Sequence, residues 1–299
     1  MPGTTITVVS VLLSYARRKL RPLRRRAKFA LARIRPSTDN YHRLRDLFVS
    51  NGDKTQYDRT VRKEIVRRFE RIDHKMDIVI TPTDALFLAE ALLSLDCEGD
   101  MVECGCYAGG STAKLSILAG IVGRKLFVFD SFEGLPEAAP NELQDYHARR
   151  STEWMAEWTK GRYTADLDRV RANVEKWGDI SVCDFVKGWF EDTLKPDNLP
   201  GKIALVLTDV DVPSSVRQCL VSLWPLMCEK GAYFSHDIAF IKALQVLTDQ
   251  YLWAEVLHEP RPILFGAGFG LCDASPHLGF LVKGAQVAPE YVKSLTINK

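Results

Sequence analysis

No C-x-x-C pair occurs among the seven cysteines of this 299-residue chain, and their number is odd. That spacing excludes the common zinc frameworks, and most of the cysteines stand in apolar runs. Such thiols act as small buried hydrophobes in a reducing compartment, so a cytoplasmic protein is expected. Long apolar runs are missing too. Ile6–Ala16 extends over about 11 residues, short of the roughly 20 that a spanning helix needs. It also lacks the basic start and small-residue cleavage site of a secretory signal. Acidic residues are absent from 1–36, which hold ten Lys and Arg. The rest of the chain carries 30 basic against 38 acidic side chains, a net charge near −8 hidden under the overall +2. A basic body built for nucleic acid is thereby excluded.

What is present is an ordinary globular composition, 46% apolar and 26% charged, long enough for one large α/β domain with an extension. Three segments are expected: a basic extension over 1–36 closed by Pro36, a helical segment over 37–80, and the main domain over 81–299. The extension has two readings. It is either a basic arm on the protein surface or an interfacial helix drawn to anionic lipid, where each Lys or Arg contributes about 1 kcal/mol. The apolar positions of 41–75 (Leu44, Leu47, Phe48, Val61, Ile65, Phe69) recur at helical spacing and predict one or two amphipathic helices. These offer a face through which copies could pair as a homo-oligomer. Thr83 or Asp84 reads as the N-cap of the next helix.

From residue 100 strands and helices alternate. Strands are predicted to end at Glu103 and Asp130 and to cover Ser181–Lys187, Ile203–Thr208, Gly231–Ser235, Leu252–His258 and His277–Val282. Helices are predicted over Ser111–Ile121, Leu167–Trp177 and Ser214–Met227. This alternation means a doubly wound, mostly parallel sheet of seven strands, with ligands beyond the carboxyl ends of its strands.

Four segments stand at such ends. In Val102-Glu103-Cys104-Gly105-Cys106-Tyr107-Ala108-Gly109-Gly110-Ser111 a small-residue turn lets a ligand approach the backbone. Tyr107 takes the position where a dinucleotide fingerprint needs glycine, so the ligand is one without a pyrophosphate. Glu103 suits a ligand amino group. Asp130-Ser131 follows the second strand, 20 residues after Gly110, where a carboxylate accepts both ribose hydroxyls. After the third strand, Trp189 and Asp192 can cover and hydrogen-bond an adenine. After the fourth and fifth strands stand Asp209 and the pair His236-Asp237. Parallel neighbours bring these together as a set that can hold a divalent cation or supply a general base.

Taken together the segments resemble the macrocin-type (TylF-like) O-methyltransferases, from about Thr83 to Asp237. The most specific pieces are V-E-x-G-x-x-x-G-G, D-S-F-E-G-L-P and G-W-F-E-D-T-L. The resemblance implies a Rossmann-like class I methyltransferase that moves a methyl group from S-adenosylmethionine to a hydroxyl of a small molecule, a sugar or natural product. It places Glu103, Gly105, Asp130 and Trp189 at the cofactor; Tyr107, Gly109, Ser111, Ser131 and Asp192 lie in the same motifs. It implies a Mg²⁺ or Mn²⁺ site to which Asp209, His236 and Asp237 correspond. Two departures stand out. His236 replaces the first Asp of an Asp-Asp pair, and the family's D-x-Y-E-S-T is Asp211-Val212-Pro213-Ser214-Ser215 here.

Methyl transfer asks the protein to align acceptor, methyl and sulfur and to take the acceptor's proton, for which Asp209 or His236 is the expected base. Residues 137–165, with Tyr146, His147, Trp154, Trp158 and Tyr163, read as a lid over the acceptor. Two other classes share this layout. A nicotinamide-dependent oxidoreductase is disfavoured by Tyr107 and by the lack of a Tyr-x-x-x-Lys pair beyond residue 100. A non-catalytic binding protein on the same fold is the other.

Overall fold

The computed structural model describes residues 37–139, 142, 159–266, 277–285, 287 and 289. The chain divides into a short unit, Met1–Arg43, and a main unit, Leu44–Lys299. The basic extension lies outside the described residues. So do most of the expected lid and residues 267–276, ahead of the last predicted strand.

Two helices stand where the helical spacing of 41–75 predicted them, Ser37–Ser50 (α1) and Arg59–Lys75 (α2). Asp58 starts α2 by accepting the N–H groups of Thr60 and Val61. The apolar stripe Ile65, Val66, Phe69 and Ile72 is buried, and the fully buried Arg62 pairs with Glu90 of the next helix at 2.5 Å. That helix, Pro82–Ser94 (α3), has its cap two or three residues earlier than the expected Thr83 or Asp84. Thr81 is its N-cap, and Asp84 closes a capping box from the third helical position. Pro82 takes the first helical position, where its missing N–H costs nothing.

The main domain alternates Asp100–Cys104 (β1), Gly110–Val122 (α4), Leu126–Asp130 (β2), Leu167–Trp177 (α5), Cys183–Lys187 (β3), the short Phe190–Thr193 (α6), Ile203–Thr208 (β4), Pro213–Leu223 (α7), Met227–Ser235 (β5), Ile241–Thr248 (α8) and Gly279–Val282 (β6). The sheet order is β3-β2-β1-β4-β5-β6, parallel except for the antiparallel β5–β6 pair. β4 is buried at all six positions, as its apolar run requires for a strand covered on both faces.

The described residues hold six strands, not the seven expected. Of Leu252–His258, read as a strand, Leu252–Val256 is a π-helical turn. Its Leu and Trp do go inside, but Trp253 gains a partner through the turn: its Nε1–H donates to the Leu247 carbonyl at 2.9 Å. The ring meets Trp224 edge-on at 4.9 Å. The cysteines hold a second departure. Register sets Met227 beside Ile203 and Ile203 beside Asp100, so the starts of β5 and β1 lie close across β4. Cys97 and Cys228 meet there in a disulfide, Cα atoms 6.5 Å apart, where unpaired thiols were expected. Both stand at the sheet's amino-terminal end, opposite the chemistry.

Candidate active site

The order reverses between β1 and β4, and the crevice of a doubly wound sheet opens at such a point. A cavity of about 540 Å³ lies there, within the size range of small-molecule sites. Gly105, Cys106, Tyr107, Ser111, Asp130, Ser131 and Trp189 line one part of it. Asp209, Asp211, His236, Phe240 and His277 line another.

The first part is built by β1 and β2 together. Gly105 leaves β1 with φ +83°, and a Cβ there would run into the Asp209 carbonyl oxygen. Only glycine fits both demands. Asp130, at the end of β2, accepts the Cys106 N–H at 2.7 Å on one oxygen and the Phe132 N–H at 2.7 Å on the other. Burial raises its carboxyl above the ordinary range, and the backbone donors of Cys106 and Phe132 oppose that rise. Tyr107 turns its ring aside to the Asp77 carboxylate, 3.0 Å from its hydroxyl, and meets Tyr163 edge-on at 5.5 Å. Ser131 is held in the turn, accepting the Glu133 N–H and donating to the Gly134 carbonyl.

Four expected residues stand apart from the lining, one of them Asp237, which is buried behind Asp209 and Asp211. Glu103 is fully buried beneath the turn, and neither oxygen has a hydrogen-bond partner among the described residues. Burial pushes its carboxyl up to about 8; the nearby Ser111 and Thr112 hydroxyls pull the other way without reaching hydrogen-bond geometry. Gly109 is the N-cap of α4, packed on Val170. Asp192 faces Lys195 at 3.7 Å on the exposed side of α6, and its neighbour Glu191 lines the cavity instead.

The second part converges from three elements. Carboxylate oxygens of Asp209, Asp211 and Asp237 lie within 4.8 Å of one another. Asp211 turns inward from a left-handed backbone, φ +64°, stabilised by the 2.6 Å bond from the Val212 N–H to the Val210 carbonyl. Asp237 accepts the Val210 N–H at 3.1 Å on one oxygen; the other is buried with no hydrogen-bond partner among the described residues. Burial, then Asp209, raises the Asp237 carboxyl to about 7. Asp211 is pushed well above the ordinary range by burial, then by Asp237 and Asp209.

His236 stands beside this group rather than within it. Its Nδ1 faces Asp209 at 3.3 Å and its Nε2 faces Asp84 at 3.3 Å. Burial pulls the imidazole down, but Asp209 and Asp84 outweigh it and hold its pKa well above the ordinary value. Only the imidazolium offers a donor to both carboxylates.

The residues found here that spacing did not single out are Asp84, Asp211 as a member of the carboxylate group, and His277. Thr81-x-x-Asp84 signals a capping box, but nothing in it points to a residue 152 positions away. His277 lies 5.6 Å from His236 and 5.8 Å from Phe240 between ring centres.

The family model for macrocin-O-methyltransferase (TylF) matches residues 86–263, more than half of the chain. The chain belongs to this family. It is therefore an S-adenosylmethionine-dependent O-methyltransferase. A relative from Streptomyces olivaceus, the 8-demethyl-8-(2,3-dimethoxy-alpha-L-rhamnosyl)-tetracenomycin-C 4'-O-methyltransferase, is 31% identical over 186 residues. The match covers 61% of this chain and 69% of the relative. Two solved structures share the fold at 16% identity. The O-methyltransferase NovP superposes with a TM-score of 0.53 over 83% of this chain and 99% of its own. CalS11, a calicheamicin methyltransferase, gives 0.51 over 75% and 93%. No helix among the described residues is long and apolar enough to cross a membrane.

The lining fits the family's cofactor. Asp130 keeps lone pairs for ribose hydroxyls beyond its two backbone bonds, and the turn after β1 carries small residues on a path cleared of the Tyr107 hydroxyl.

Proposed function

We propose that this O-methyltransferase methylates a sugar hydroxyl of a glycosylated small molecule, with Asp209 at the centre of the chemistry. The observation that carries the reading is that one cavity joins the Asp130 end to the Asp209 and Asp211 carboxylates, with the buried Asp237 carboxylate within 4.8 Å of both. The rhamnosyl acceptor named for the Streptomyces olivaceus relative supports the sugar. So do Phe240 and His277, whose rings offer an apolar face beside polar neighbours.

Bound S-adenosylmethionine supplies a methyl group on a sulfonium already activated for displacement. Asp130 would hold its ribose, and Trp189 and Ser131, on the same part of the lining, would cover its adenine. Asp209, whose backbone N–H donates to the Cys104 carbonyl at 3.0 Å, presents its carboxylate to the cavity as the base for the acceptor's hydroxyl proton. Holding the acceptor in line can supply about 7–11 kcal/mol of the barrier for a well-oriented pair.

The carboxylates of Asp209, Asp211 and Asp237 also fit a divalent cation. Three oxygen donors, one with a buried oxygen that has no hydrogen-bond partner among the described residues, suit Mg²⁺ or Mn²⁺ better than a softer ion. Such an ion would lower the acceptor hydroxyl's pKa and orient it. In this arrangement Asp211 takes the place in the ligand set that the chain order suggests for His236.

The test is incubation of the full chain with S-adenosylmethionine and p-nitrophenyl α-L-rhamnopyranoside, with and without Mn²⁺, read by mass spectrometry for a mono-methylated product. Product formation lost in Asp209→Asn supports the reading. Methylation of a non-glycosylated phenol in preference to the rhamnoside would overturn the sugar assignment.

A further inference from the structure

We propose that Asp84, from the first turn of α3, is a positioning residue for the reaction, fixing the ring of His236 so that its Nδ1 is held against Asp209. The inference rests on the reading of Asp209 given above. Asp84 is fully buried, and its Oδ2 accepts the Thr81 N–H at 2.7 Å while facing His236 Nε2 at 3.3 Å. The capping box makes the carboxylate rigid: the Thr81 hydroxyl accepts the Asp84 N–H at 3.1 Å from the other side. A helix cap and an active-site contact are thus one group of atoms.

His236 is nearly as enclosed, 7% exposed at its side chain. An imidazole on a buried strand end has two orientations related by a ring flip. With a carboxylate at each nitrogen, neither nitrogen is open to a ligand, and the ring bridges Asp84 to Asp209. Asp209 has 14% of its side chain exposed and needs such a prop to keep one orientation. Partners of this indirect kind typically matter 10- to 100-fold to activity or cation affinity when removed.

The test is nuclear magnetic resonance of the ¹⁵N-labelled full chain, paired with turnover of the rhamnoside. A downfield, slowly exchanging Nε2–H of His236, assigned by its loss in His236→Gln, is expected in the wild type. It is kept in Thr81→Val, which weakens the helix cap and lowers Tm but spares the Asp84 carboxylate. It is lost in Asp84→Ala, where turnover falls about 10- to 100-fold with KM for S-adenosylmethionine unchanged. Because Asp84 acts through His236, the double variant Asp84→Ala/His236→Gln is no slower than His236→Gln alone. The proposal is overturned by absence of the signal in the wild type or its retention in Asp84→Ala. Undiminished turnover in Asp84→Ala, or losses that multiply in the double variant, also overturns it. A wild type inactive on the rhamnoside counts against the sugar assignment only, and the ring proton then decides the role of Asp84.

Discussion

The Asp130 carboxylate and the Cys106 N–H, 24 residues apart in the chain, lie 2.7 Å from each other. This bond ties the end of β2 to the turn after β1, so the group expected at the ribose also shapes the turn that admits the ligand. Asp130→Ala removes both functions. A hydrogen bond to a charged group contributes about 1.5–3 kcal/mol, a factor of roughly 10 to 150 in affinity. Titration calorimetry of S-adenosylmethionine is expected to show a loss at least that large. Wild-type affinity in this variant would remove Asp130 from the site.

Gly105 links the two parts of the cavity. Its φ of +83° and the Asp209 carbonyl pressed against it leave no room for a methyl group. Gly105→Ala is expected to cost about 1–3 kcal/mol in backbone strain, with the clash added. A lowered Tm with weakened cofactor binding and slower turnover would show both ends disturbed together. An unchanged Tm would mean that the turn can relax.

Glu103 makes stability depend on pH. Its folded pKa of about 8 lies above the ordinary value of 4.5, so the folded chain binds the proton more tightly than the unfolded one. Stability from this group is therefore full below about pH 4.5 and falls as pH rises to about 8, by at most about 1.4 kcal/mol per unit. Urea titrations between pH 5 and 9 are expected to show a smaller decline in Glu103→Gln than in the wild type. Identical slopes would show that Glu103 is solvated or paired in solution.

The Arg62–Glu90 pair carries stability rather than chemistry. Arg62 also donates to the Phe48 and Tyr57 carbonyls at 3.0 Å each, so α2 and α3 meet around one buried guanidinium. Glu90→Ala leaves that charge uncompensated and is expected to destabilise the fold by about 3–5 kcal/mol. Thermal or urea unfolding measures it, while cofactor affinity below the transition should stay at the wild-type value.

The periodicity carried the architecture well where an element's own residues decide it. Leu167–Trp177 and Ile203–Thr208 have the predicted bounds, the first because its apolar positions keep helical spacing, the second because a central strand is apolar throughout. Leu252–Val256 departed because Leu-Trp-Ala-Glu-Val has the bulk of a strand, and only the Leu247 carbonyl and the Trp224 ring made a turn the better burial. Asp84 was legible as part of a helix start but not as a neighbour of His236. Capping is a local property, whereas that contact depends on how α3 lies across the sheet.

By itself the sequence determined the α/β layout, the glycine turn after β1 and the carboxylates at the ends of β2, β4 and β5, all set by interactions within a few residues. Only the tertiary structure decided that Asp211 joins Asp209 and Asp237, that His236 is enclosed by two carboxylates, and that Glu103 lies beneath the cavity. Those outcomes follow from crossing angles, strand register and burial, which arise when distant segments pack and leave no mark in residue spacing.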